Sequence, residues 1–156
     1  SVEEMLLNAD IEVVVVNTPV QMHFEFTKMA LEAGKNVIVE KPFTVNVSEA
    51  EELVQLAESK NLFLSVYQNR RFDRDYLQVQ KLISAEKLGT IKEMEIRFDR
   101  FRTEASGKEH KENPEQDGSG SVHDLGSHLV DQATQLFGMP EKLFADVFSM
   151  KLFKVS

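Results

Sequence analysis

The sequence predicts an α/β fold built on a doubly wound parallel sheet, and two observations carry that prediction. Three short apolar runs, at 11–17, 36–40 and 62–67, are rich in β-branched residues without polar alternation, as is typical of strands covered on both faces. Amphipathic helical segments separate these runs by short connections. The resulting strand–helix–strand–helix–strand order predicts right-handed crossovers and parallel strands, and three such strands make half of a Rossmann-type sheet.

Composition excludes several classes of protein. The 156 residues are 42% hydrophobic and 28% charged, which is the balance of a globular protein rather than a disordered chain. No apolar run approaches the roughly 20 residues of a membrane span, so no membrane partner is expected. The net charge of −8 argues against nucleic acid as a partner, since phosphate binding needs clustered Lys and Arg. Cysteine is absent, which excludes thiol chemistry and fits a reducing, cytoplasmic location.

Local signals bound the first two helices. Ser1 and Glu4 have the spacing of a capping box for a short helix. After the first strand, Pro19 suits the first turn of a helix, and Gly34 ends that helix. Its apolar side recurs at helical spacing and comprises Met22, Phe26, Met29, Ala30 and Ala33.

A third helix follows, and the pattern of buried strands then ends. Ser48 and Glu51 have the pattern of a capping box for a helix that runs to about residue 60. Beyond Tyr67 the pattern of buried strands stops. We therefore predict half of a Rossmann-type sheet over residues 1–71 and a second domain over residues 72–156.

The second domain is predicted to combine helices with an antiparallel sheet. Residues 73–89 have the pattern of an amphipathic helix. Residues 90–102 alternate apolar and charged side chains, as in an antiparallel strand with one solvent-exposed face. The polar segment 103–117 is predicted to be a loop. A helix over about 121–137 and a strand over 142–153 follow it.

Polar clusters follow the ends of all three predicted parallel strands. They are Asn17-Thr18-Pro19, Glu40-Lys41-Pro42 and Gln68-Asn69-Arg70-Arg71. In an open α/β sheet, ligands bind beyond the carboxyl ends of the strands, so the three clusters are expected to converge on one crevice. Strand ends are commonly polar without any function, but three clusters together, one of them with a restrained Lys-Pro step, favour a functional site.

A second group of polar residues lies in GSGSVHDLGSHLVDQ, residues 118–132. In a helix, Asp124 and His128 share one stripe, where a carboxylate can orient an imidazole and stabilise its cation, as a general base requires. A solvated surface pair is the alternative. Metal ligation with His123 or Asp131 would also suit this spacing, but no third ligand has a diagnostic spacing, so no metal is predicted.

Two further features bear on cofactor binding. His23, on the helix after the first strand, is either a buried helix residue or a cofactor contact. Gly118-Ser119-Gly120 has the start of a dinucleotide-binding fingerprint, but the third glycine position is His123 and no strand precedes the segment. No other candidate for that fingerprint exists among the seven glycines.

These motifs resemble the Gfo/Idh/MocA family of NAD(P)-dependent sugar and polyol oxidoreductases. VVVVNTPVQMHFEFTKMALEAGKNVIVEKPF is similar to the second half-Rossmann segment of that family, and GSGSVHDLGSHLVDQATQLFG resembles its catalytic helix. LSVYQNRRFDRDYLQVQKLI and FDRFR further resemble a subgroup that includes NADP-dependent scyllo-inositol dehydrogenases. After FDRFR, that subgroup usually has an Arg-Trp-Arg-like cluster, whereas this chain has EASGKEHKE.

The resemblance implies a fold and a role for each candidate residue. The fold is the second half of a Rossmann-type doubly wound parallel sheet, which would make residues 1–71 a partial dinucleotide-binding domain without its Gly-rich half. Residues 72–156 would be the start of an α+β domain with an antiparallel sheet for substrate binding and oligomerisation. Lys41 would contact the reacting hydroxyl and the nicotinamide region, His128 would accept or donate the proton, and Asp124 would orient His128 and bind substrate. The cofactor, NAD or NADP, would be lined by Asn17, Thr18, Pro19, His23, Glu40 and Lys41. The substrate, a sugar or an inositol-like polyol, would be bound by Asn69, Arg70, Asp124 and His128, in a protein that forms a homo-oligomer.

The sequence also departs from the pattern of that family, whose members begin with a strand, a Gly-rich pyrophosphate turn and a ribose-binding residue, and end with several more sheet strands. None of these is found in the sequence. The chain is therefore expected to be an internal fragment of a dehydrogenase, inactive by itself and self-associating through exposed sheet edges. Two alternatives stay open, namely a catalytically silent sugar- or nucleotide-sensing module of the same fold and a metal-assisted isomerase.

We predict that the isolated chain binds NAD or NADP weakly, because the glycine turn and helix N-terminus that hold a pyrophosphate are absent from the sequence. Isothermal titration calorimetry of the isolated chain measures this affinity. A dissociation constant of about 1 μM or tighter would contradict the prediction, since it corresponds to about 8 kcal/mol of binding free energy.

Overall fold

The computed structural model of the protein describes residues 1–99, 107, 113 and 115–148. Two 3₁₀ turns, Val20–Met22 and Asn69–Phe72, follow the first and third strands, and a π-helical turn, Val122–Gly126, leads directly into the last helix. None of the described helices is both long and apolar enough to cross a bilayer. The helices and strands are, in chain order, α1 (Val2–Leu7), β1 (Val13–Val16), α2 (His23–Glu32), β2 (Asn36–Glu40), α3 (Val47–Ser59), β3 (Leu64–Tyr67), α4 (Arg74–Ser84) and α5 (Ser127–Phe137).

The three strands form one parallel sheet in the order β1-β2-β3. Val14 of β1 lies in register with Val37 of β2, which lies in register with Leu64 of β3, and the same holds two residues further along. Side chains in register point to the same face of the sheet, because side chains alternate along each strand. The predicted α/β fold with a parallel sheet is confirmed.

Helices α2 and α3 pack against each other and against one face of this sheet. Leu31 of α2 and Leu53 of α3 are fully buried, together with Val37 and Val39 of the central strand β2. Burial of such apolar side chains is the main favourable contribution to folding. The core cluster comprises Leu6, Val16, Ala30, Leu31, Val37, Val39, Leu53 and Ala57.

On the opposite face of β1, the described residues cover the side chains less than on the core face. Val13 is 47% exposed and Val15 is 64% exposed. Successive right-handed crossovers that run in the same direction place their helices on the same side of a sheet. The helices α2 and α3 therefore cover one face of the sheet, and coverage of β1 on both faces stays a prediction for the whole protein.

The capping signals are partly confirmed. The Glu4 N–H donates to Ser1 Oγ at 3.2 Å, as predicted for the start of α1. Helix α3 begins two residues earlier than predicted, because Asn46 rather than Ser48 is its N-cap and the Asn46 N–H donates to the Glu49 carboxylate at 3.2 Å. Asn and Ser are equally good N-caps, so the two overlapping patterns could not be ranked from sequence.

The second half of the chain has fewer regular elements than predicted. Helix α4 ends at Ser84, five residues before the predicted end, and Glu86 then adopts a φ of 55°. The described part of the last predicted strand, 142–148, has no regular secondary structure. The rest of that strand and most of the predicted loop over 103–117 lie outside the described residues.

Residues 91–99 form no strand, although the sequence predicts one over 90–102. A strand requires backbone pairing with a neighbour, and no strand among the described residues pairs with this segment. The alternating apolar side chains of this segment nevertheless pack against other parts of the chain. Met94 and Ile96 line a cleft against α5, and Phe98 contacts the side chains of Arg70 and His128.

We predict that Leu53→Ala destabilises the core by about 2–5 kcal/mol, because truncation of a fully buried leucine leaves a cavity. The neighbouring residue Val54 is 43% exposed, so Val54→Ala is a matched control, with an expected change of about 0.5 kcal/mol or less. Urea unfolding of the natural full-length protein measures both changes. Equal unfolding midpoints for the two variants would contradict the packing of α3.

Candidate active site

The carboxyl ends of β1 and β2 open into a cleft of about 360 Å³. Its walls come from the segment after β1, from the segment after β2 and from residues just before and within the π-helical turn. Two of the three strand-end clusters thus meet here, while Gln68-Asn69-Arg70-Arg71 does not line the cleft. The lining residues are Asn17, Thr18, Pro19, Val20, His23, Glu40, Lys41, Pro42, Gly118, Gly120 and Asp124.

His23 ties the two strand-end segments together. The side chain is buried, with Nδ1 lying 2.8 Å from the carbonyl oxygen of Pro42 and Nε2 lying 3.0 Å from the carbonyl oxygen of Thr18. Both ring nitrogens face main-chain oxygens, which leaves neither for a cofactor. The geometry therefore favours His23 as a buried helix residue that fixes the walls of the cleft.

Lys41 and Asp124 form the strongest polar contact of the cleft. Lys41 Nζ donates to the carbonyl oxygen of Asp124 at 2.7 Å and to its carboxylate Oδ1 at 2.9 Å. The two side chains are only 14% and 26% exposed. Charge-assisted hydrogen bonds of this kind are stronger than neutral ones, and reduced exposure lessens screening by water. The contact joins the end of β2 to the π-helical turn, and the adjoining Lys41–Pro42 peptide is cis.

The helix that carries Asp124 is not regular. The sequence predicts an ordinary helix from residue 121, whereas Val122–Gly126 is a π-helical turn. Such turns are wider than α-helical turns and are frequent at functional sites. In this turn the main-chain carbonyl of Asp124 accepts a hydrogen bond from Lys41, in addition to the bond that its carboxylate accepts.

His128, on the first turn of α5, is buried and does not line the cleft, although it lies close enough to Lys41 and Asp124 for their charges to act on it. Its ring stands edge-on to Phe98, with the ring centroids 6.5 Å apart. Burial first, and then the positive charges of Lys41 and Arg70, lower the pKa of His128 to about 4 against the opposing effect of two carboxylates. The imidazole is therefore neutral at physiological pH. Among the described residues, its buried Nδ1 has no hydrogen-bond partner.

The carboxylate of Asp124 binds Lys41 and lies four residues before His128. The i, i+4 spacing predicts that Asp124 orients His128, and this role stays a prediction, while both the carboxylate and the main-chain carbonyl of Asp124 accept hydrogen bonds from Lys41. A carboxylate binds an ammonium more strongly than a neutral imidazole, because the first contact is an ion pair. In the described residues, Asp124 therefore holds Lys41, and it acts on His128 through its charge.

Asn69 and Arg70, the remaining substrate-binding candidates, lie in the 3₁₀ turn after β3. Asn69 is exposed. Arg70 Nη1 donates to Asp73 at 2.8 Å, and the guanidinium group lies over the ring of Phe98 at 4.8 Å from its centroid. Because Phe98 also contacts His128, Arg70 belongs to the surroundings of His128 rather than to the wall of the cleft.

The structure adds two glycines that the sequence analysis did not assign to a site. Gly118 and Gly120 line the cleft. A Cβ atom on Gly118 would lie 2.9 Å from Val20 and 3.0 Å from Val45, and its φ of 77° disfavours other residues. Gly118 was therefore a usable signal, but for close packing against the segments that follow β1 and β2 rather than for a dinucleotide fingerprint.

The polar groups of the cleft fit one end of a nicotinamide nucleotide. The amide of Asn17, the hydroxyl of Thr18 and the carboxylate of Glu40 can bind ribose hydroxyls and a carboxamide. A pyrophosphate requires a glycine turn at a helix N-terminus, and the lining residues of the cleft do not supply one. No group of three or more His, Cys, Asp or Glu side chains that could hold a metal ion occurs in the described part of the chain.

Comparison with known proteins identifies relatives over nearly the whole chain. The uncharacterized oxidoreductase C115.03 of Schizosaccharomyces pombe is 47% identical over 145 residues, which cover 93% of this chain and 39% of that protein. The scyllo-inositol 2-dehydrogenase (NADP(+)) IolW of Bacillus subtilis is 40% identical over 149 residues, which cover 96% of this chain and 41% of that protein. An oxidoreductase of known crystal structure from Bacillus cereus matches with a TM-score of 0.76 at 39% identity, over 90% of this chain and 39% of that one. The chain thus spans about two fifths of the length of the curated relatives it matches.

Two family models match consecutive parts of the chain. One, described as an oxidoreductase family with an NAD-binding Rossmann fold, matches residues 1–68. The other, described as the GFO/IDH/MocA C-terminal domain, matches residues 76–152. Because these are the N-terminal and C-terminal domains of one family in their expected order, the chain belongs to the Gfo/Idh/MocA family of oxidoreductases.

Proposed function

We propose that the full-length protein containing this chain is a dehydrogenase that transfers a hydride between a sugar or inositol-like polyol and a nicotinamide cofactor, NAD or NADP. The observation that carries the proposal is the contact of Lys41 with Asp124 beside a buried, neutral His128. The Bacillus subtilis relative is named as a scyllo-inositol 2-dehydrogenase, which supports a polyol as the substrate class.

The chemistry requires a base and a positive charge near one oxygen atom. Oxidation of a secondary alcohol removes the hydroxyl proton and a hydride from the same carbinol group and leaves a carbonyl. A nicotinamide bound at the cleft would supply the hydride acceptor. His128 accepts the hydroxyl proton, and the ammonium of Lys41 stabilises the negative charge that develops on the oxygen. Asp124 holds that ammonium in place.

The state of His128 supports its role as the base. Among the described residues, the buried Nδ1 of His128 has no hydrogen-bond partner, and an unpaired nitrogen of this kind costs about 1–3 kcal/mol. A catalytic role would explain why the fold tolerates this cost. A neutral imidazole is also the form that can accept a proton. The positive charges of Lys41 and Arg70 help to maintain that form.

The cofactor is held, in this proposal, by groups at the ends of β1 and β2. Asn17, Thr18 and Glu40 bind the nicotinamide end through their amide, hydroxyl and carboxylate groups. Pro19 forms part of the wall, and His23 acts indirectly by holding the two segments together. Arg70 is assigned to the surroundings of the substrate through its position beside Phe98 and His128.

Turnover assays of the natural full-length protein test the proposal. Scyllo-inositol and a panel of sugars are offered with NAD and, separately, with NADP, and formation of the reduced cofactor is followed by absorbance. Cofactor binding without turnover of any of these substrates would contradict the dehydrogenase and favour a silent sensing module.

We predict that Lys41→Ala lowers kcat by about 10² or more with little change in the KM for the cofactor, because a cation aimed at the reacting oxygen acts where negative charge develops in the transition state. Lys81→Ala, on the exposed side of α4, is the control and is expected to leave both constants unchanged. Steady-state kinetics at saturating cofactor separates the two effects. An unchanged kcat with a raised cofactor KM would assign Lys41 to cofactor binding alone.

We also predict that kcat/KM for oxidation does not fall on the mildly acidic side of neutral pH. Because the pKa of His128 is lowered to about 4, the imidazole stays neutral as the pH falls through 6.5, and kcat/KM should show no inflection from this residue until well below that pH. His128→Gln should lower kcat by about 10² or more at every pH, since it removes the base. An inflection near pH 6.5 that disappears in His128→Gln would show that the imidazole titrates normally, contrary to the prediction.

A further inference from the structure

The 3₁₀ turn Asn69–Phe72 holds helix α5 through two adjacent contacts that the proposed chemistry does not use. Arg71 Nε donates to Asp131 Oδ2 at 2.9 Å, and Arg71 Nη2 donates to Asp131 Oδ1 at 2.6 Å. Such a bidentate pair fixes orientation as well as distance. Beside it, Gln132 Nε2 donates to the carbonyl oxygen of Arg70 at 3.1 Å. Two consecutive residues of the helix therefore bind two consecutive residues of the turn.

These contacts are more than a surface ion pair. The side chain of Asp131 is only 12% exposed, and Gln132 is buried. A carboxylate removed from water requires a partner, whereas pairs between fully exposed side chains contribute little. Arg71, at 42% exposure, can be replaced without opening the core. Its hydrogen bond to Asp131 raises the pKa of the guanidinium group, in keeping with a persistent pair.

The two contacts lie one helical turn after His128. Asp131 and Gln132 follow His128 by three and four residues, and such residues share one face of a helix. Lys41 holds Asp124 on the other side of His128, four residues before it. His128 thus lies between two attachments, one from the end of β2 and one from the segment after β3. Because β2 and β3 are hydrogen-bonded neighbours, both contacts attach the helical segment that carries His128 to the same sheet.

The same turn also reaches His128 through a ring contact. The guanidinium group of Arg70 lies 4.8 Å from the centroid of Phe98, and Phe98 stands edge-on to His128. A shift of the turn would therefore move the surroundings of the imidazole as well as the helix that carries it.

We propose that Arg71 is a positioning residue for the dehydrogenation suggested above: through Asp131 it sets the place of α5 and thereby aims the imidazole of His128 at the reacting oxygen. The proposal rests on the proposed function. Arg71 contacts no lining residue of the cleft among its hydrogen bonds, and its Nε and Nη2 are taken up by Asp131. Its role is therefore mechanical rather than one of binding a substrate anion.

Arg71→Lys and Asp131→Asn test this role in the natural full-length protein. Lysine keeps the charge but cannot form the bidentate pair. Both variants are expected to lower kcat by about tenfold or more with the cofactor KM within about twofold, because small misplacements of reacting groups are costly. The double variant should be no slower than the slower single variant, since both substitutions remove the same contact. Arg74→Lys, at an exposed position at the start of α4, is the matched control.

A second measurement does not depend on turnover. In the natural full-length protein, the ring signals of His128 are identified by nuclear magnetic resonance from their loss in His128→Gln. Burial and the neighbouring positive charges lower the pKa of His128 to about 4, and in Arg71→Lys we expect this pKa to rise towards 6.5, because a loosened α5 admits water to the imidazole. Arg74→Lys should leave the titration unchanged.

The outcomes separate the two proposals. If the natural protein oxidises no sugar or polyol, the proposed function fails, while the titration still decides whether Arg71 positions His128. An unchanged His128 titration in Arg71→Lys, or a raised substrate KM with unchanged kcat, would overturn the positioning role. Unfolding of both Arg71→Lys and Asp131→Asn would overturn it as well, since the pair would then maintain the fold rather than aim the imidazole.

Discussion

The contact between Lys41 and Asp124 is the interaction on which the arrangement of the site depends. Lys41 stands at the end of β2, the central strand, and its ammonium is mostly withdrawn from water. A buried charge is costly unless acceptors surround it, and Asp124 supplies two, a carbonyl and a carboxylate oxygen. The need to satisfy one ammonium thus attaches the start of the helical segment to the carboxyl edge of the sheet.

The same ammonium links the two chemical roles that the proposed reaction requires. Burial and the charges of Lys41 and Arg70 keep His128 in its neutral form, so the cation that would stabilise an alkoxide also keeps the neighbouring base able to accept a proton. The position of His128 is held by the π-helical turn on one side and by the Arg71–Asp131 pair on the other. Electrostatics and helix attachment therefore act on the same imidazole.

Most of the parallel sheet and part of the site could be predicted from sequence, because both depend on the types of residues that are neighbours along the chain. β-branched runs indicated the three strands, helical periodicity indicated the helices between them, and Ser1 with Glu4 marked the start of α1. The polar steps after β1 and β2 could be placed at one edge because parallel strands end at the same side of a sheet. The antiparallel strands were harder to predict, since a strand exists only with a partner, and residues 91–99 have none among the described residues.

The sequence by itself determined the element types and the chemistry available at the strand ends, whereas tertiary structure decided which groups meet. Asp124 pairs with Lys41, 83 residues away, and Arg71 pairs with Asp131, 60 residues away. No local pattern encodes such a choice, because it depends on how separately formed elements pack. Periodicity and capping act within a few residues, while pairing, burial and the resulting pKa values arise only when distant segments come into contact.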